Sequence, residues 1–246
     1  MIVRNHPLPL YYQLMQELRR RIEEGTWKPG DLIPSERELS ETYRISRMTV
    51  RQALAELVND GLLRRDQGRG TFVAKPKIRK QLSRLTSFTE DMRARGKRPG
   101  AQLLRAEMVP ARPKVANMLQ IDIGQQVALV ERLRLADDEP VGIECSHLSF
   151  DACGTVLRED LEGSLYRLLE ERFGLVATRA QEEIEAGICG SREAEILDIH
   201  PDEPVLLIRR RTLNEDQHPF EYVESVYRSD NYIFSVELVA GTHPTD

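Results

Sequence analysis

The chain has 246 residues, 40% of them hydrophobic and 30% charged, with a formal net charge of −5 at pH 7. This balance excludes disorder and collagen-like repeats and suffices for one or two packed domains. The apolar runs, such as Val205 to Ile208, fall far short of the roughly 20 residues that span a bilayer, so no membrane partner is expected. The charge is unevenly placed: residues 1–80 hold 16 Lys/Arg against 10 Asp/Glu, whereas residues 81–246 hold 19 against 30. A basic head on an acidic body points to a polyanion met by one end of the chain. The N-terminal stretch has no apolar signal core, and Cys145, Cys153 and Cys189 form no Cys-x-x-Cys pair. A reducing cytoplasm is expected, with neither a disulfide framework nor a zinc site.

Leu10, Leu14, Leu18 and Ile22 recur at helical spacing, and Gly25 follows where a left-handed cap would stop the helix. After the turn-prone Trp27-Lys28-Pro29-Gly30-Asp31, Ser35-Glu36-Arg37-Glu38 has the capping-box form and opens a second helix ending near Tyr43. Ser46 caps a third, whose apolar stripe is Val50, Ala53, Leu54, Leu57 and Val58. Arg47, Met48, Arg51 and Gln52 are left on the opposite face, with Thr49 in the first turn. Two short helices at a tight turn, the second presenting Arg, Thr and Gln, suit the DNA major groove. There Arg donates a bidentate pair to guanine and Gln pairs with adenine, while helix N-termini such as those at Ser35 and Ser46 favour phosphate.

Gly61 ends the third helix. Leu62-Leu63-Arg64-Arg65, then Asp66-Gln67-Gly68-Arg69-Gly70, then Thr71-Phe72-Val73 read as a hairpin wing. Its glycines Gly68 and Gly70 permit close backbone approach, and Arg64, Arg65 and Arg69 offer phosphate contacts. Singly, such arginines read equally well as a solvated face. Their order, from Pro34-Ser35-Glu36-Arg37-Glu38-Leu39 through Ser46-Arg47-Met48-Thr49-Val50-Arg51-Gln52 to Gly68-Arg69-Gly70-Thr71-Phe72-Val73, resembles the winged-helix domain of the GntR family of bacterial transcription regulators. The resemblance implies that Arg37 and Arg47 read guanines, that Thr49, Arg51 and Gln52 contact backbone or bases, and that Gly68 enters the minor groove. Residues 1–75 are therefore expected to form a winged helix-turn-helix that binds double-stranded operator DNA.

A basic, Pro-interrupted linker is expected over 76–86. Beyond it the class is α+β: a short helix opened by Ser87-Phe88-Thr89-Glu90-Asp91-Met92 and closed by Gly96, hairpins over Val127–Ala136 with Val141–Ser149 and over Val205–Leu213 with Phe220–Tyr227, and a helix over Leu161–Phe173. The body also repeats itself. At an offset of 78, Ala116, Leu119, Val127, Arg132 and Leu135 fall on Ala194, Leu197, Val205, Arg210 and Leu213, and a further turn residue places Pro140 on Pro219 and Ser146 on Ser225. This predicts two halves in one sheet about a pseudo-two-fold axis, with a ligand site built from both.

Arg132 and Arg134 are two apart in a strand and leave the same face. Two readings stand: converging guanidiniums that hold an anion such as phosphate, or arginines that are solvated or paired across the hairpin with Glu144. Ser164-Leu165-Tyr166 offers hydroxyls and backbone N–H groups to the same anion, or a plain helix cap with an aromatic core residue. The body as a whole resembles the effector-binding UTRA domain, of chorismate-lyase-like fold with an antiparallel sheet and flanking helices, found in one GntR subgroup. Arg132-Leu133-Arg134-Leu135-Ala136, Pro140-Val141-Gly142-Ile143-Glu144 and Ser225-Val226-Tyr227-Arg228 are close to members that repress N-acetylglucosamine utilisation. The resemblance implies an effector domain over 87–246 sensing glucosamine 6-phosphate or N-acetylglucosamine 6-phosphate. Phe88, Thr89, Arg132, Leu133, Arg134, Ser164, Leu165 and Tyr166 would then surround the phosphate, and Glu144, Glu221 and Tyr227 the sugar. Glu224, on the strand of Glu221, is placed to alter the charge near the site.

No catalytic constellation emerges. His6, His147, His200, His218 and His243 are scattered, none at metal-ligand spacing, and Cys145-Ser146-His147 alternates across a strand. A cytoplasmic, homodimeric repressor with no cofactor or metal is expected. Another sugar phosphate, an organic acid, or chorismate-lyase-like enzyme chemistry are the alternatives.

Overall fold

A computed structural model describes residues 7–66, 68–74, 77–151 and 153–238. His6, Gln67, Lys75, Pro76 and His243 lie outside the described residues. The chain divides into two compact units, 1–76 and 77–246.

In the first unit, α1 (Leu10–Glu23), α2 (Glu36–Tyr43) and α3 (Arg47–Asn59) enclose an apolar core, followed by the antiparallel strands β1 (Leu63–Asp66) and β2 (Gly70–Val73). Leu14, Leu18, Leu39, Val50, Ala53, Leu54 and Leu57 are buried together, each long apolar side chain contributing about 1.5–3 kcal/mol. The tight turn between α2 and α3 depends on Arg44 in the left-handed region, φ 53°, and on the Ser40 hydroxyl, which donates to the Ile45 carbonyl at 2.7 Å. Leu32 bridges to Phe72, so the wing is fastened at its base.

The second unit contains β3 (Ile78–Gln81), α4 (Phe88–Ala94), β4 (Pro99–Pro110), α5 (Pro113–Leu119), β5 (Gln126–Ala136) and β6 (Glu139–Leu148). A 3-10 turn (Cys153–Arg158), α6 (Leu165–Phe173), β7 (Arg179–Ile188), α7 (Ser191–Leu197), β8 (Pro204–Leu213), β9 (Pro219–Arg228) and β10 (Tyr232–Ser235) complete it. Six strands form one antiparallel sheet in the order β4-β5-β6-β9-β8-β7.

The repeat is visible in this order, which runs β4-α5-β5-β6 and β7-α7-β8-β9 from the two edges inward. α5 and α7 correspond residue for residue at the sequence offset of 78. Their caps Gln120 and Asp198 are both left-handed (φ 57° and 51°), and the register shifts after Arg134 and Thr212 also correspond. Cys145 pairs with Glu224, its own repeat equivalent, so the pseudo-two-fold axis passes between β6 and β9. α5 and α7 pack on one sheet face with Val127, Leu133 and Val205. α6 and the 3-10 turn cover the other face, over Ala128, Val130 and Leu148.

Two expectations are corrected here. Part of the expected linker, 76–86, is the strand β3, which pairs in parallel with β10 and buries Ile78. The helix expected from Leu161 starts only at Leu165, because the carbonyls of Leu161 and Gly163 turn aside to accept from Arg132 Nη1, both at 3.3 Å.

Candidate nucleic-acid interface and effector cavity

In the first unit, Ser35 completes a capping box: its backbone N–H donates to Glu38 Oε2 at 2.8 Å, and Glu38 N donates to Ser35 Oγ at 3.3 Å. Ser46 Oγ accepts from Thr49 N at 3.1 Å and lies 2.8 Å from the Thr49 hydroxyl, fixing the first turn of α3. Arg47, Met48, Arg51 and Gln52 are exposed on that helix. Among the described residues, Arg37, Arg47 and Arg69 have no carboxylate within ion-pair distance, which leaves their guanidinium groups available to an external anion. Arg51 instead meets Glu36 at 3.0 Å, and Arg65 reaches the same carboxylate at 3.3 Å. Arg64 pairs with Asp66 at 2.7 Å and lies over Phe72. At the wing tip Gly68 has φ 78° with open space around it. Gly70 has φ 122°, a backbone conformation that residues with a side chain rarely adopt, whereas a Cβ there would meet only the movable tip of exposed Leu32 at 2.7 Å, so the backbone is what calls for glycine.

In the second unit a cavity lined by charged and hydroxyl-bearing side chains opens on the sheet face carrying α6. Strand alternation brings Arg132 and Arg134 from β5, Glu144 and Ser146 from β6, Glu221, Ser225 and Tyr227 from β9, and Arg210 from β8 to its walls. Phe88 and Thr89 from the start of α4, and Ser164, Leu165 and Tyr166 from the start of α6, close it. The cavity thus spans the pseudo-two-fold axis and takes residues from both halves of the repeat.

Arg132 and Arg134 are 4% and 2% exposed and share Glu144, at 3.4 and 3.6 Å. The pairing reading is therefore correct as far as Glu144 goes, but one carboxylate does not satisfy two guanidiniums. Arg132 Nε and Arg134 Nε and Nη1 are buried without a hydrogen-bond partner. Leaving such donors unmet costs about 1–3 kcal/mol each, which an anion in the cavity would recover. Burial and the like charge of Arg134 push Arg132 down to about 10, still protonated at neutral pH. The Arg134 guanidinium stacks 4.2 Å from the centre of the Phe88 ring.

The acceptors are equally built. Burial raises Glu144, yet Arg134, Arg132 and the Tyr227 hydroxyl, which donates at 2.5 Å, outweigh it and hold the carboxyl below its ordinary value. Glu221 goes the other way: burial raises it despite hydroxyls donating from Tyr166 at 2.8 Å, Thr212 at 2.9 Å and Ser146 at 3.2 Å. Tyr166 and Tyr227 are pushed up by burial and stay protonated as donors. Gly142 lies across from Tyr227, and a Cβ there would come within 2.5 Å of the ring, so only glycine lets the tyrosine lie flat.

Two expectations fail on strand parity, and of the two readings of Ser164 the plain helix cap is the one set aside. Leu133 leaves the opposite sheet face and is buried with Ile143 and Leu197, so its side chain is not in the cavity. Glu224 also faces away, paired with Lys114 at 2.5 Å and bonded by the Tyr222 hydroxyl. Ser164 makes no side-chain cap and instead borders the cavity. Missing from the sequence reading are Lys80, Asp91, Ser146 and Arg210. The repeat itself carries the signal for Arg210, since it is the equivalent of Arg132; nothing in the sequence marks Lys80, which stands in the stretch read as a linker. Among the described residues there is no cluster of three His, Cys, Asp or Glu groups fit to hold a metal ion.

Known proteins share both units. Residues 10–73 match the bacterial regulatory proteins of the gntR family, and residues 94–233 match the UTRA domain. The HTH-type transcriptional repressor NagR of Bacillus subtilis is 42% identical over 95% of this chain and 96% of its own. The histidine utilization repressor of Pseudomonas aeruginosa is 36% identical over 84% and 82%. The crystal structure of PhnF from Mycobacterium smegmatis aligns with a TM-score of 0.67 at 34% identity, covering 92% of this chain and 99% of that one.

Proposed function

The chain belongs to the gntR family of bacterial regulatory proteins and carries a UTRA domain, which makes it a DNA-binding transcriptional repressor rather than an enzyme, and we propose that its effector is an amino-sugar phosphate. The observation that carries this reading is the pair of buried guanidiniums, Arg132 and Arg134, with unmet donors at a cavity and one carboxylate between them. A phosphate monoester matches that surplus of donors and charge. The hydroxyl-rich remainder suits a sugar. Glu144 and Glu221 accept from hydroxyls or an amino or amide group, and Tyr227 and Ser146 both donate and accept. The resemblance of the body's motifs to regulators of N-acetylglucosamine utilisation favours glucosamine 6-phosphate or N-acetylglucosamine 6-phosphate within this class, and the 42% identity to the repressor NagR agrees with amino-sugar regulation.

Division of labour follows. The head, 1–75, binds the operator through Arg37, Arg47, Gln52 and the wing tip Gly68-Arg69-Gly70, while Ser35, Ser46, Thr49 and Arg51 shape and support that surface. The body, 87–246, binds the effector. A two-fold operator requires two heads, so the active species is a homodimer. Effector and operator then oppose each other through a coupling free energy, typically about 1–3 kcal/mol, felt equally by both ligands.

A thermal-shift panel tests the effector. N-acetylglucosamine 6-phosphate and glucosamine 6-phosphate should raise the melting temperature by mass action, and the unphosphorylated sugars should not. Equal shifts from both sets, or stabilisation only by an organic acid, would replace this reading with another effector class.

A further inference from the structure

The wing strand β2 ends at Val73 and β3 begins at Ile78, so β3 is the first element of the body after the DNA-binding head. It is also a wall of the effector cavity. Lys80, in this strand, borders the cavity with its side chain only 13% exposed. Its Nζ lies 3.3 Å from Glu182 Oε1 and 5.7 Å from the centre of the Phe234 ring. Glu182 is already engaged by Arg210, whose Nε and Nη2 approach it at 2.7 Å. Two buried cations therefore share one carboxylate, as Arg132 and Arg134 share Glu144.

This second basic pole stands apart from the first. Arg132 is on β5 and Arg210 on β8, with two strands between them, about 14 Å from backbone to backbone. An ammonium with half a counter-ion is costly to bury. Burial and Arg210 accordingly hold Lys80 below the usual lysine range, Glu182 and Asp91 pulling the other way. β3 is otherwise held by its pairing with β10 and by Arg95, which donates to the Arg79 carbonyl at 3.0 and 2.5 Å. Arg95 in turn pairs at 3.0 Å with Asp91, another residue of the cavity wall.

We propose that Lys80 is a direct ligand of the effector, donating to an anionic oxygen in the cavity, and that this contact fixes β3 and so reports occupancy to the chain leading into the DNA-binding head. The proposal rests on the reading of the cavity as the effector site. It gives the linker strand a sensing role in place of a spacer's, and it makes Lys80 the nearest point in the sequence at which the effector touches the connection to the head.

The rival is a structural ion pair in which Lys80 only pins β3 to Glu182. Calorimetric titration of the full chain distinguishes them, using N-acetylglucosamine 6-phosphate, glucosamine 6-phosphate, glucose 6-phosphate and inorganic phosphate as probes. A direct ligand predicts that Lys80→Met weakens anion binding about tenfold or more, that Lys80→Arg restores most of it, and that Glu182→Gln leaves it equal or tighter. Equal weakening in Lys80→Met and Glu182→Gln, or none in Lys80→Met, would overturn the proposal. Should Lys80→Met not fold, Lys80→Gln takes its place with the same expected outcomes. If the wild type binds glucose 6-phosphate or inorganic phosphate but neither amino-sugar phosphate, the amino-sugar assignment fails, while the same variants measured with the anion that does bind still decide the role of Lys80. A wild type that binds none of the four overturns both.

Discussion

Arginine serves both units of this protein under opposite conditions. In the head, Arg37 and Arg47 are exposed and have no carboxylate partner among the described residues. In the body, Arg132 and Arg134 are almost wholly buried and share Glu144. Exposed guanidiniums bind a polyanion by displacing its counterions, so they gain from number and are weakened by salt. Buried ones bind a single anion in low dielectric, so two suffice and salt matters little. The difference explains how an acidic protein meets DNA at one end and, on the proposed reading, a small anion at the other.

The sharpest way to break this contrast is to remove a buried arginine. Arg132→Met should weaken effector binding by about 2–5 kcal/mol, because it strips donors from the anion and frees the carbonyls of Leu161 and Gly163. Operator binding, measured by fluorescence anisotropy, should be unchanged. Arg47→Ala should do the reverse: a loss of about ten- to hundredfold in preference for operator over random DNA, with effector affinity retained in calorimetry.

Acidity, followed through a signal of the body, probes its buried carboxylates. Glu144 and Glu182 sit below their ordinary value of 4.5, so the stability they contribute is present above that value and lost as pH falls through their lower folded values. Glu221, raised by burial, works in the opposite sense and offsets part of this loss. Urea unfolding of the full chain between pH 6 and pH 4, followed by a signal of the body, should therefore show acid destabilisation that Glu144→Gln reduces. The smallest effect is expected at Glu36, which holds exposed Arg51 and Arg65. Glu36→Gln should barely move the melting temperature. It should steepen the salt dependence of operator binding by about one unit for each freed arginine that meets a phosphate.

The head was almost fully legible in its sequence, since it is built from local signals: Ser35 and Ser46 cap the helices they precede, and the stripe Val50, Ala53, Leu54, Leu57 is buried as spaced. The body was legible where period two applied, which put Arg132 and Arg134 on one face, and through the family resemblance, which implied Glu144, Glu221 and Tyr227; all five line one cavity. The same period argues against Leu133 and Glu224, whose neighbours face the cavity while they cannot. Tertiary facts were not legible. The parallel pairing of β3 with the distant β10, which draws Lys80 into the cavity wall, joins residues more than 150 positions apart and leaves no mark on either segment alone. The late start of α6 likewise depends on Arg132, which comes from another strand.

Coupling of a phosphate-bearing effector to operator release is the proposed function of this chain. It is tested most directly by titrating the operator-bound protein, followed by anisotropy, with N-acetylglucosamine 6-phosphate and with unphosphorylated N-acetylglucosamine. Release by the phosphate ester alone is expected, and none in Arg132→Met at the same concentration. Release by both sugars alike, or by the ester in Arg132→Met as in the wild type, would contradict it.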